Sequence, residues 1–150
     1  MAAQRYEHAW IMRSGFIAFG ALLALSSGLD LAYKNQPPVA AAALSAYGVS
    51  MVLTGIFSAA PFLEGVSFSE SEAKLHGVFA SVAGLSLSAS MFASAVASDQ
   101  PGSARWLHGG ALGLTVACSA MFMLDPEHQG VWQRLLWTVG LGWISVSASF

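Results

Sequence analysis

Long apolar runs broken by short polar connections dominate the pattern along this chain. Five runs stand out: Trp10–Tyr33, Val39–Phe62, Leu75–Ala97, Trp106–Leu124 and Val131–Ser149. A helix needs about 20 mainly apolar residues to cross a hydrocarbon core of about 30 Å, and each run has roughly that length. The connections KNQPP, LEGVSFSESEAK, SDQPGSAR and DPEHQG concentrate the prolines, glycines and charges that let a chain turn. In lipid a backbone must satisfy its own polar groups, which a helix does locally. The pattern predicts an all-α fold, an integral membrane bundle of five transmembrane helices forming a single domain over residues 1–150.

Within the runs, small residues fall into stripes. Gly77, Ser81, Gly84, Ser88 and Ala95 share one side of the third span, beside a bulkier stripe of Val78, Val82, Leu85, Phe92 and Val96. The fourth span has Gly110, Gly113, Ala117 and Ala120, and the fifth has Arg134, Thr138, Gly142, Ser145 and Ser149. Small residues allow the close backbone approach by which membrane helices associate. These stripes are therefore expected to be packing faces, within the chain or against a helix partner.

Composition sharpens the picture. Hydrophobic residues make up 55% of the chain and charged residues only 9%, against roughly 25% charged in soluble domains. So few charges cannot cover a water-facing surface. With six Lys and Arg and a net charge of −2, no basic stripe exists to bind nucleic acid. The one cysteine, Cys118, lies in the apolar run LTVACSAMF and reads as a small buried residue. The leader MAAQRYEHAWIMR makes a poor signal-peptide n-region, so the first run is expected to be a retained span.

Short connections make neighbouring spans antiparallel and sort the polar residues onto two faces. One face carries the N-terminus and the second-to-third and fourth-to-fifth connections. It gathers Glu7, Glu64, Glu70, Glu72, Asp125 and Glu127, with His8, His76 and His128. It also has Arg5, Arg13, Lys74 and Arg134, against Lys34 and Arg105 opposite. Positive residues favour the cytoplasm, which predicts a cytoplasmic N-terminus.

Three short runs carry a family resemblance: Gly55-Ile56-Phe57 followed by SAAPF, Leu75-His76-Gly77 at the head of a small-residue span, and Gly130-Val131-Trp132-Gln133-Arg134 opening the last. Their order over Gly48 to Trp143, about two-thirds of the chain, resembles the bacterial membrane proteins grouped as domain of unknown function 998 (DUF998). The resemblance implies a multi-pass protein of the bacterial inner membrane and supplies no activity. Family members are usually longer, commonly by one span. The Asp-Pro expected after the second span is here Ala60-Pro61, so any role of that Asp is absent or moved.

Charges within spans are the first candidates for chemistry. Arg13 and Arg134 each lie about one turn into a span. Arg134 shares its stripe with Thr138 and Ser145, so it is expected to look into the bundle and to pair with Glu64 or Asp125. His76 reads first as a group that caps or hydrogen-bonds a helix end. Arg134, His76, Asp125, Glu64, His128 and Arg13 form the candidate polar cluster, with an anionic lipid head group as one ligand. No cofactor is expected. A divalent metal is the alternative, on His76, Asp125 and His128, although no HExxH or paired-histidine spacing supports it. Haem is disfavoured because His76 and His108 head consecutive antiparallel spans, about 30 Å apart. No Gly-x-Ser-x-Gly elbow or phosphate loop is present. The reading is a non-enzymatic accessory or assembly subunit with membrane lipid and a helix partner around it. The alternative is a metal-dependent or acid/base enzyme acting on a lipid or isoprenoid at the membrane boundary.

Overall fold

A computed structural model describes residues 8–33, 37–61, 65–97 and 102–147. Five long helices account for nearly all of them: α1 Ala9–Tyr33, α2 Pro38–Ile56, α3 Glu70–Val96, α4 Gly102–Leu124 and α5 Gln129–Ser147, with a 3-10 turn at Pro126–His128 before α5. Local chemistry sets the bounds. Pro38 opens α2 at a position where a missing N–H costs nothing. Phe57 then turns extended and ends that helix six residues before the expected bound. In α3 the start is five residues earlier than the apolar run, because Ser69 accepts the Glu72 amide at 3.3 Å in a Ser-x-x-Glu capping arrangement.

Four of the five helices, α1 to α4, are long and apolar enough to cross a bilayer. The expected fifth span does not reach that standard. Gln129, Gln133 and Arg134 fill the start of α5, and Trp132 and Trp137 are amphipathic rings suited to a boundary. On α1 and α3, large apolar side chains face outward, among them Leu22 at 70% and Leu85 at 72% exposure. The bulky α3 stripe of Val78, Val82, Leu85, Phe92 and Val96 is exposed throughout, a surface matched to lipid.

The chain divides within α3 into two compact units, one ending at Ser86 and one beginning at Leu87. In the first, α1 lies antiparallel on α2 at very short range. Phe16, Gly20, Leu23 and Ser27 of α1 are buried, as are Ala41, Gly48 and Gly55 of α2. A methyl group built on Gly48 would lie 2.6 Å from both Ala24 N and Gly20 O, and one on Gly20 would lie 2.5 Å from Gly48 O. Ser45 Oγ donates across the seam to Ala24 O at 3.3 Å. Phe19 meets Tyr47 edge to face at 6.4 Å.

In the second unit the buried stripe of α4 is Ala104, His108, Ala111, Thr115 and Cys118, and α5 buries Gly140 and Trp143. The thiol of Cys118 is free. Thr115 Oγ1 donates to Met91 Sδ at 3.6 Å, and Gly140 sits against Leu87.

Within the chain, three of the stripes read as packing surfaces are not where the helices meet, so only contact with a helix partner is left of that expectation; Ser149 lies outside the described residues. Gly110, Gly113, Ala117 and Ala120 of α4 are all exposed, as are Thr138, Gly142 and Ser145 of α5. Gly77 and Ser81 of α3 are exposed, and a methyl on Gly84 would meet nothing within 4 Å. The outward hydroxyls bond their own helices, Ser81 to Gly77 O, Thr138 to Arg134 O and Ser145 to Leu141 O, each at 2.9 Å. That bond to the preceding turn lets a hydroxyl sit in an apolar solvent, so these positions did not need a buried partner.

Candidate functional site

The polar groups of the first unit converge on the C-terminal end of α2. A helix ends with four carbonyls that its own amides cannot reach. Here Phe57 N returns to Leu53 O at 3.0 Å, which satisfies the first. Arg13, one turn into α1, takes two more: its Nε donates to Gly55 O at 3.0 Å and its Nη2 to Ile56 O at 2.6 Å. His76, in the second turn of α3 and buried, lies with Nδ1 at 3.1 Å from Thr54 O and 2.9 Å from Phe57 O. Carbonyls only accept, so Nδ1 carries the hydrogen and shares it between them. Phe79, three residues along α3, stacks on Phe57 at 5.6 Å. Two other helices thus supply the C-cap that α2 lacks in its own last turn, and the guanidinium stands at the negative end of its dipole.

A second group sits on the connection between α4 and α5. Asp125 accepts from His128 Nδ1 at 3.0 and 3.1 Å, and from Trp132 Nε1 at 3.0 Å. Gln129 Nε2 reaches back to Phe122 O at 3.2 Å. These contacts pin the first turn of α5 to the turn before it. The indole of Trp132 first, and the His128 ring second, hold the Asp125 carboxyl below its ordinary range.

The direction of that shift gives a test. A depressed carboxyl contributes stability that is complete above its ordinary value of about 4 and lost as pH falls through the lower folded value. The Trp132 indole N–H resonance is expected to hold its position down to about pH 4 and to move below it, as its acceptor is protonated. In Asp125→Asn it should show no such acid-range movement. A wild-type resonance that is flat throughout the acid range would remove this contact from the folded protein.

Of the remaining predicted residues, Arg134 lies on the exposed face of α5 with Thr138, where its guanidinium makes no hydrogen bond or ion pair among the described residues. It therefore does not look inward as its neighbours in sequence suggested. The helix turns its Gly140 and Trp143 side inward instead. Glu64 lies outside the described residues. Arg13 and His76 belong to the first unit, and Asp125, His128 and Arg134 to the second. No group of three or more His, Cys, Asp or Glu converges on a common point among the described residues.

One contact escaped the reading of the sequence. His108 of α4 is buried and its Nδ1 accepts from Trp143 Nε1 of α5 at 2.9 Å. The signal was present: Ala104, His108, Ala111, Thr115 and Cys118 keep alternating steps of four and three residues. Gly109, Gly110 and Gly113 lie on the other, exposed face of the same helix.

A family model described as protein of unknown function (DUF998) matches residues 1–149. The chain belongs to that family. The match extends well beyond the Gly48–Trp143 stretch in which the resemblance was visible. No curated protein and no solved structure matches the chain. Membership in DUF998 brings no activity with it, but the runs that carried the resemblance now have physical roles. Gly55-Ile56-Phe57 provides three of the bonded carbonyls, Leu75-His76-Gly77 the imidazole that meets them, and Gly130–Arg134 the indole on Asp125.

Proposed function

We propose that this chain is a non-enzymatic membrane subunit that works by helix association. The observation that supports this reading is the outward glycine cluster of α4. Gly109, Gly110 and Gly113 are exposed, and a methyl on any of them would meet nothing within 4 Å. A glycine inside a helix costs about 1 kcal/mol relative to alanine. No described residue offsets that cost at these positions, whereas a helix of another chain approaching closely would. The imidazole and carboxylate groups of His76, Asp125 and His128, on which the enzymatic alternative draws, are already bonded within the fold. Cross-linking in native membranes, with the wild type against Gly113→Leu, tests the reading. Loss of a cross-linked species in the variant is expected. Unchanged monomer in both, together with stoichiometric metal in the purified protein, would favour the enzyme.

The membrane in question is a bacterial inner membrane, with the N-terminus in the cytoplasm and α5 crossing as a fifth span. Reporter fusions at the two ends are expected on opposite sides. Termini on the same side would leave α5 lying at the boundary after four crossings.

A further inference from the structure

His108 ends the second turn of α4 with 3% of its surface exposed, and Trp143 beside it has 4%. The rings meet edge to face at 5.9 Å and 72°. An indole nitrogen only donates, so Nδ1 of His108 must be the acceptor, and the hydrogen of the neutral ring lies on Nε2. Trp143 therefore fixes both the tautomer and the neutrality of this imidazole. Nε2–H makes no hydrogen bond to any described residue. Nor is it sealed in: Ser27 Oγ is the sole side-chain polar atom among the described residues that is fully enclosed without a partner. An oriented, neutral donor on a membrane-type helix is thus left without a described partner and is not wholly enclosed.

Its depth narrows the acceptor. Trp106, 84% exposed, and Arg105, whose Nη2 donates to Ala97 O at 3.4 Å, are side chains that settle at headgroup level. His108 lies two residues further along α4, about 3 Å deeper. That is the level where the phosphate layer gives way to the glycerol esters of a bilayer. A neutral N–H there suits a neutral carbonyl better than a phosphate, which favours cations. A neighbouring helix can offer a carbonyl only where the two backbones come close, as Ala24 O does to Ser45, whereas a lipid ester is free to move to the donor. A carbonyl projecting from a flexible amphiphile can approach the donor, and the stripe neighbours Ala104 and Ala111 are small.

We propose that His108, held by Trp143, is a lipid-binding residue whose Nε2–H takes the ester carbonyl oxygen of a membrane phospholipid. The proposal rests on α4 crossing the bilayer and is independent of helix association. The test uses the full-length protein, labelled with 15N-histidine, in vesicles of phosphatidylethanolamine and phosphatidylglycerol. A matched set of diether lipids keeps the headgroups and chains but has no carbonyl. The His108 Nε2–H resonance, assigned through the α4 backbone, is expected downfield in diester vesicles and shifted upfield in diether vesicles. By native mass spectrometry the wild type should retain diester lipid roughly three- to tenfold better than diether lipid, the worth of one hydrogen bond. His108→Phe should lose that preference. An Nε2–H resonance identical in both lipids, or a preference that persists in His108→Phe, overturns the proposal. Should the variant fail to fold, the wild-type resonance in the two lipids decides alone.

Discussion

Adding one methyl group at Gly48 is expected to cost about 3 kcal/mol, the upper end of the usual overpacking range. The atoms it would strike, Ala24 N and Gly20 O at 2.6 Å and Ala24 Cα at 3.0 Å, are all backbone. A backbone cannot step aside as a side chain can, so α1 and α2 must separate along their whole seam. Separation loses the dispersion contacts of Phe16, Leu23, Leu44 and Met51, the buried side chains of that seam. It also stretches the Ser45 bond to Ala24 O. Gly84→Ala is the matched comparison, because a methyl there meets nothing within 4 Å. That change should be neutral or stabilising by up to about 1 kcal/mol, the helix-propensity gain over glycine. Thermal unfolding of both variants in one detergent separates them. Equal tolerance at Gly48 and Gly84 would mean that the helix pair is not packed backbone to backbone.

That contrast also shows how far the sequence could be read. The helices were legible because apolar runs of this length have few alternatives in a lipid solvent. The bounds were less so, since the Ser69 cap and the extended Phe57 act through single hydrogen bonds that hydropathy does not register. Glycine alone does not distinguish a contact within the chain from an outward face. Gly20, Gly48 and Gly55 are contacts within the chain and Gly84, Gly110 and Gly113 are not, although all are glycines in apolar helices. What distinguishes the first set is a partner stripe at the same heptad spacing, Gly20 and Ser27 opposite Ala41, Gly48 and Gly55. A single helix cannot reveal that. The company of Thr138 and Ser145 suggests an inward Arg134. Those hydroxyls bond their own preceding turns, so polar company did not imply a polar interior. Arg13 and His76 are visible in the sequence as a charged and a polar group inside or at the head of an apolar run. Their shared target was out of reach, because it is made of backbone carbonyls, and every residue has one.

Removing Arg13 is expected to expose how much α2 depends on its neighbours. Arg13→Leu leaves Gly55 O and Ile56 O without donors at a partly buried helix end, at a cost of about 2–3 kcal/mol. Arg13→Lys should fall between Leu and the wild type, since an ammonium lacks the planar fork that spans two carbonyls. His76→Ala removes the shared donor to Thr54 O and Phe57 O and leaves a cavity beside them, again about 2–3 kcal/mol. The two substitutions act on one helix end, so the double variant should depart from additivity by about 0.5–3 kcal/mol. Once the end of α2 has frayed, the second cap has nothing left to hold. Lys74→Ala is the control, because its 4.0 Å pair with Glu70 is solvent-exposed and such pairs contribute about 0–1 kcal/mol. Thermal stability of the four proteins gives the coupling, and hydrogen exchange at the last amides of α2 places it. Additive losses, with exchange at those amides unchanged, would show that Arg13 and His76 serve separate ends and that α2 is capped by something else.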